Sequence, residues 1–65
     1  MGTEVLRDMA HDALDNDRDV WIGEDDNDLI YAIEIDGVEY ENDDYLDERD
    51  MFGHDEGEAR AYYYG

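Results

Sequence analysis

Apolar residues recur at helical spacing through the first part of the chain. Thr3 is expected to cap a helix over residues 3–16, and Glu4 in its first turn suits the positive end of the helix dipole. The apolar positions lie three or four residues apart, which places them on one face. They are Val5, Leu6, Met9, Ala10, Ala13 and Leu14.

An alternation of period two follows this helix. Residues 20–22 predict a short strand that ends at Gly23, and residues 24–28, EDDND, predict a turn. The segment LIYAIEI, residues 29–35, has the clearest strand pattern. One of its faces is expected to carry Leu29, Tyr31, Ile33 and Ile35, and the other Ile30, Ala32 and Glu34.

The dipeptide DG at residues 36–37 predicts a two-residue hairpin turn, because both of its positions accept a positive φ. The returning strand, VEYE, then pairs Ile35 with Val38 and Ile33 with Tyr40. This register keeps both apolar sets on one face of the sheet.

A second short helix is predicted over residues 43–52, capped by Asn42 and stopped by Gly53. Residues 58–64 fit either a helix or a strand, and three consecutive Tyr favour the strand, with at least one Tyr in water. The inward positions expected on the second helix are Tyr45, Leu46, Arg49 and Phe52.

These elements predict one α+β domain over residues 1–65 with the order α-β-β-β-α-β. The sheet is small and antiparallel, and the N-terminal helix packs across one of its faces. With 65 residues, such a domain buries only about 60% of its unfolded surface, so its core is small.

Charge is the feature that sets this sequence apart. The chain has 22 acidic residues, four Arg and no Lys, and its formal net charge is −18. Self-repulsion of this size is typical of disordered chains, whereas the periodic hydrophobic pattern favours a fold. Such a chain is repelled by nucleic acid and anionic lipid and is attracted to basic surfaces. No apolar run is long enough to cross a membrane, and we expect a cytoplasmic protein.

One acidic run has the spacing of a calcium loop. Asp15, Asp17 and Asp19 fall at its first, third and fifth positions. However, Val20 stands where the loop needs Gly, and Asp26 stands where a bidentate Glu belongs. We therefore expect a solvated helix end and no metal or other cofactor.

Catalysis has little support in the sequence. The chain lacks Ser, Cys and Lys, so the common nucleophiles are missing. His11 and His54 lie far apart and have no second His at a zinc-binding spacing. The sequence contains no glycine-rich phosphate loop. We therefore expect a binding protein and not an enzyme.

The charge density matches that of a nucleic acid. A compact domain of this size has a radius of gyration of about 11 Å and a diameter of about 28 Å, a length over which duplex DNA carries about 16 charges. Alternate strand residues lie ~6.6 Å apart, close to the spacing of neighbouring phosphates. The candidate partner-binding residues are Asp25, Asp26, Asp28, Glu34, Glu39, Glu41, Asp43, Asp44, Asp47, Glu48 and Asp50.

In size, acidity and the hairpin IYAIEIDGVEY flanked by acidic segments, the chain resembles phage-encoded DNA mimics that disarm bacterial defence, the anti-CRISPR and anti-restriction inhibitors. The resemblance implies a basic, nucleic-acid-binding partner: the DNA- or PAM-binding groove of a CRISPR effector, or the cleft of a restriction enzyme. It also implies action in the cytoplasm of an infected bacterial host, without direct binding of nucleic acid or membrane.

Two other functions fit the composition. Proteins of salt-loving organisms are acidic and poor in Lys, and their carboxylates spread evenly to hold water. An acidic adaptor for a basic protein other than a nuclease has the same composition. Thermal melting at different salt concentrations separates the first alternative, and competition with DNA separates the second.

Overall fold

The structure, a computed structural model, describes residues 1–51 and 59–64. The helices are α1 (Thr3–Asp15) and α2 (Tyr45–Met51). The strands are β1 (Val20–Glu24), β2 (Ile30–Ile35), β3 (Val38–Glu41) and β4 (Arg60–Tyr64), and they form an antiparallel sheet in the order β3-β2-β1-β4. The predicted α+β order is confirmed, including the strand at 60–64. The predictions for Phe52, Gly53 and His54 lie outside the described residues.

The core lies between α1 and one face of the sheet. Val5 alone of the predicted helix stripe is largely in water, with 48% of its surface exposed. Ala at two of the buried helix positions lets the helix backbone approach the strands closely. The buried cluster consists of Leu6, Ala10, Ala13, Val20, Ile30 and Ile33.

A bulge in β2 changes which side chains face the helix. Gly23 pairs with Ala32 but Glu24 pairs with Ile30, so Tyr31 is an extra residue opposite β1. The extra residue reverses the alternation beyond it. Ile30 joins the core, and the Tyr31 ring lies on the opposite face, which we call the open face. The predicted faces of these two residues are therefore wrong.

The hairpin between β2 and β3 has the predicted geometry. Asp36 has a φ of 52° and Gly37 a φ of 84°, which matches a tight turn with two positive φ angles. Both predicted cross-strand pairs are confirmed. At the other side of the sheet, all three Tyr of β4 are exposed, and Tyr63 is the most exposed at 70%.

The first turn of α1 receives its hydrogen-bond acceptor from another element. Gly2 and not Thr3 occupies the N-cap, so the predicted cap is wrong. Thr3 is buried, its N–H donates to Glu48 Oε2 at 2.9 Å, and its hydroxyl donates to Glu48 Oε1 at 2.7 Å. A carboxylate on α2 thus satisfies donors at the positive end of α1.

The same contact extends to β2. The Ile30 N–H donates to the Thr3 hydroxyl at 3.1 Å, and Asn42 Nδ2 donates to the Ile30 carbonyl at 2.6 Å and to Glu48 Oε1 at 2.9 Å. The side chains of Thr3, Asn42 and Glu48, with the Ile30 backbone, form what we call the polar junction. It joins both helices to the sheet.

Asn42 also shapes the start of α2. Its Oδ1 accepts a hydrogen bond from the Asp44 N–H at 2.8 Å and so caps the turn before the helix. The helix begins at Tyr45, two residues later than predicted. Tyr45 is half-buried as expected, but Leu46 is 60% exposed, and its predicted inward position is wrong.

Glu48 should make the stability of the fold depend on pH in a defined direction. Burial raises the pKa of Glu48, but hydrogen bonds from the Thr3 hydroxyl, the Thr3 N–H and Asn42 outweigh this effect, so its pKa is lowered. A carboxyl whose pKa is lower in the folded state stabilises the fold above its unfolded pKa. This contribution is lost as the pH falls through the folded value.

We expect Glu48→Gln to lower the free energy of unfolding by about 1–3 kcal/mol at neutral pH, because an amide offers only one acceptor oxygen. The difference from the unsubstituted protein should shrink as the pH falls below about 4.5. Urea unfolding at several pH values measures it. Asp47→Asn, which removes an exposed neighbouring charge, is the control, and an equal effect of both substitutions would contradict the prediction.

Candidate partner-binding surface

Three carboxylates of the hairpin lie on the open face of the sheet. Ile33 and Tyr40, which are paired, face α1, so the residues that alternate with them point away from it. Glu34 is directly opposite Glu39 across β2 and β3, and Glu41 is opposite Ala32. The hairpin therefore holds a compact group of negative charges, which we call the glutamate trio: Glu34, Glu39 and Glu41.

The glutamate trio has no counter-charge among the described residues. Within residues 1–51 and 59–64, its side chains accept no hydrogen bond and form no ion pair. The one ion pair of an Arg in this part of the chain is Arg18 with Asp36 at 3.6 Å. Like charges placed directly opposite each other destabilise a sheet by about 0.2–1 kcal/mol. The free protein thus keeps an arrangement that a cation would stabilise.

A row of aromatic rings lies beside these carboxylates. The Trp21 and Tyr31 rings are 6.2 Å apart, and the Tyr31 and Tyr45 rings are 6.3 Å apart, both in edge-to-face geometry. Gly23 makes the row possible, because a Cβ there would lie 2.5 Å from Tyr31 Cζ and 2.6 Å from Trp21 Cη2. The Tyr45 hydroxyl donates to Asp25 Oδ2 at 2.8 Å, which fixes its end of the row.

The three rings line one open groove of about 390 Å³ together with the carboxylates of Glu39, Glu41 and Asp43, whereas Glu34 is not among its lining residues. The lining therefore combines aromatic rings with carboxylates. Leu46, which is 60% exposed, also belongs to the lining and not to the core. The lining residues are Trp21, Tyr31, Ala32, Glu39, Glu41, Asn42, Asp43, Tyr45 and Leu46.

Two predicted site residues have internal roles and leave the candidate surface. Asp25 is only 2% exposed, and its Oδ1 accepts hydrogen bonds from the N–H groups of Asn27 and Leu29. Glu48 is held in the polar junction. Both side chains organise the protein instead of facing a partner, which corrects their predicted role.

The structure brings the other predicted residues together at one end of the sheet. The turn that contains Asp26 and Asp28 meets the start of α2 through the hydrogen bond between Tyr45 and Asp25. Arg7 ties α1 to the same turn, because its Nη2 donates to the Asp28 carbonyl at 2.8 Å. The exposed carboxylates at this end are Asp26, Asp28, Asp43, Asp44, Asp47 and Asp50.

Carboxylates also cover the opposite side of the molecule. The outer face of α1 carries Glu4, Asp8, Asp12 and Asp15, all of them exposed. Negative charge alone therefore does not define a site. The open face differs because its carboxylates border an aromatic groove. Sequence reasoning assigned Tyr31 to the core and missed the row, although Gly23 beside Trp21 was a usable sign of a close approach.

The described residues contain neither a group of metal ligands nor a helix that could cross a membrane. No group of three or more potential ligands is gathered there in a way that could hold a metal ion. The acidic run at Asp15, Asp17 and Asp19 leads into β1, where a calcium loop would continue. No helix in residues 1–51 and 59–64 has the length and apolar character needed to cross a membrane.

Comparison of the chain with protein-family models, with curated proteins and with solved structures found no match.

We expect Gly23→Ala to displace the aromatic row. The new Cβ needs space that the Tyr31 and Trp21 rings occupy, so the emission maximum of the single Trp should shift and the free energy of unfolding should fall by about 1–3 kcal/mol. Gly37→Ala is the matched control, since a Cβ at residue 37 would have no other residue within 4 Å beyond its chain neighbours. Because φ is positive there, this substitution should lower the free energy of unfolding by about 1–2 kcal/mol, but it should leave the Trp emission unchanged. Equal emission spectra for both variants would contradict this account.

Proposed function

We propose that this protein is a DNA-mimic inhibitor of bacterial defence. It occupies the basic DNA-binding or PAM-binding groove of a CRISPR effector complex, or the cleft of a restriction enzyme, and prevents target DNA from binding. The observation that supports this most directly is the glutamate trio, which lies on the open face without an ion-pair partner in the part of the chain that the structure describes. The inhibitor acts by occupancy and needs no catalytic group.

The dimensions of the molecule agree with such competition. Its longest extent is 35 Å, a length over which duplex DNA carries about 20 negative charges. The net charge of the chain is −18. A groove whose Arg and Lys side chains are arranged for a phosphate backbone therefore meets a comparable amount of charge. Glu39 and Glu41, two residues apart on β3, are ~6.6 Å apart along the strand.

The electrostatic mechanism has a specific consequence for stability. Placing Glu34 opposite Glu39 costs the free protein folding free energy, and a cationic groove recovers that cost on binding. A residue kept for binding at the expense of the fold is recognised by the opposite signs of its effects. Its neutralisation stabilises the free protein and weakens the complex.

We expect neutralisation of the glutamate trio to weaken inhibition by about 100-fold, if each carboxylate supplies ~1 kcal/mol. The variant is Glu34→Gln/Glu39→Gln/Glu41→Gln. Its free energy of unfolding should rise by about 0.2–1 kcal/mol. The assay measures duplex DNA binding by a panel of purified CRISPR effectors and restriction enzymes, with the inhibitor as competitor.

The matched control is Glu4→Gln/Asp8→Asn/Asp12→Asn on the outer face of α1. Both triple variants remove three of the 18 net negative charges, which leaves −15. A fall in inhibition that is equal for the two variants would place the binding surface elsewhere. Failure of saturating DNA to displace the inhibitor from its partner would contradict mimicry and favour an acidic adaptor.

Salt adaptation is the second candidate function. The exposed carboxylates on the outer face of α1 favour it, because they lie on the opposite side of the molecule from the groove. Under this alternative the acidic side chains serve hydration, and the fold requires molar salt for stability.

We expect the protein to remain folded at low salt, and its complex to weaken as salt rises, because screening reduces the attraction between opposite charges. Thermal melting followed by circular dichroism from low to molar salt measures the first part. Unfolding at low salt with recovery at molar salt would instead support salt adaptation.

A further inference from the structure

The groove on the open face contains aromatic side chains that charge competition alone does not require. A surface that only imitates phosphates needs carboxylates at suitable distances. Here the lining combines a connected row of rings, formed by Trp21, Tyr31 and Tyr45, with the carboxylates of Glu39 and Glu41. A ligand that fills the groove must satisfy a π surface and carboxylate acceptors together.

We propose that this groove binds an arginine side chain of the basic partner. The guanidinium stacks on the aromatic row and donates hydrogen bonds to the carboxylates of Glu39, Glu41 and Asp43, which line the groove with the rings. This inference rests on the proposed function and deepens it, because it names the residue type that the partner supplies at the same site.

Arginine fits a lining of aromatic rings and carboxylates better than lysine does. Its guanidinium is planar, weakly hydrated and stacks on aromatic rings, and its fixed N–H groups match carboxylate oxygens in a bidentate manner. The ammonium of lysine is a compact, strongly hydrated charge that gains less from an aromatic wall. The methylene stem of arginine also gains from an apolar contact, which the exposed Leu46 side chain in the groove lining offers.

The groove is organised before a ligand arrives. The Tyr45 hydroxyl is held by Asp25, whose other oxygen is held by two backbone N–H groups of the turn. The Tyr31 ring lies over Gly23, where the absence of a Cβ gives it room. Binding therefore orders few side chains, and more of the interaction free energy appears as affinity.

The one Trp of the chain, Trp21, lies in the groove and reports on its occupancy by fluorescence. The experiment titrates the full chain with an arginine-rich peptide and with a lysine-rich peptide of equal length and charge. We expect the arginine peptide to bind about 10-fold more tightly, which corresponds to one good cation–π and bidentate contact. It should also change the Trp21 emission more strongly at saturation.

Variants locate the preference within the groove. Tyr31→Leu should reduce the preference for arginine to about 2-fold or less while lysine affinity, measured by calorimetry, stays unchanged. Tyr62→Leu is the matched control, because Tyr62 pairs with Ile22 and so lies on the side of the sheet away from the row. Should Tyr31→Leu fail to fold, Gly23→Ala tests the same ring by displacement.

The outcomes separate this inference from the proposed function. Equal affinity for the two peptides would overturn the arginine assignment and leave charge competition in place. A preference for arginine that survives both Tyr31→Leu and Gly23→Ala would also overturn it, since the groove would not be its source. Failure of both peptides to bind would count against both proposals.

Discussion

The fold depends on the carboxylate of Glu48, on which donors from two other parts of the chain converge. The N–H and hydroxyl of Thr3 and the amide of Asn42 all donate to it, and Asn42 and Thr3 in turn hold the backbone of Ile30. This junction fixes the start of α1 against β2 and α2. In a chain with a net charge of −18, an acid at the positive end of a helix is one of the few places where negative charge favours folding.

Asp25 and Glu48 make their hydrogen bonds inside the protein, so the surface charge comes from the remaining carboxylates. Asp25 organises the turn before β2 and holds the Tyr45 hydroxyl, so a buried acid fixes one end of the aromatic row. The carboxylates left outside repel each other, and the core that opposes this repulsion consists of a single helix packed on a small sheet. Such a core leaves little excess stability, so each unpaired charge matters.

Local signals in the sequence were sufficient for the elements but not for their contacts. The hairpin was predictable because its turn and register depend on adjacent residues, Asp36 and Gly37. Thr3 was assigned as a cap by a local rule, yet its hydroxyl donates a hydrogen bond to Glu48, 45 residues away. Ile30 and Tyr31 lie on the opposite faces from those predicted because β2 has a bulge opposite Gly23. A prediction that assumes strict alternation cannot show such an extra residue.

The same distinction explains how much of the surface could be predicted. Counting acids along the chain identified residues 24–28, the hairpin and α2 as the acidic candidates, although charge alone does not separate them from the outer face of α1, which also carries exposed carboxylates. What distinguishes the open face is the meeting of Trp21, Tyr31 and Tyr45, which come from three elements. The free energy of a solvated acidic face depends little on the residues beside it. An acidic face that places like charges opposite each other and borders ordered rings is unfavourable alone and becomes favourable when a cation is bound. This difference is why we propose the open face, and not the outer face of α1, as the binding surface.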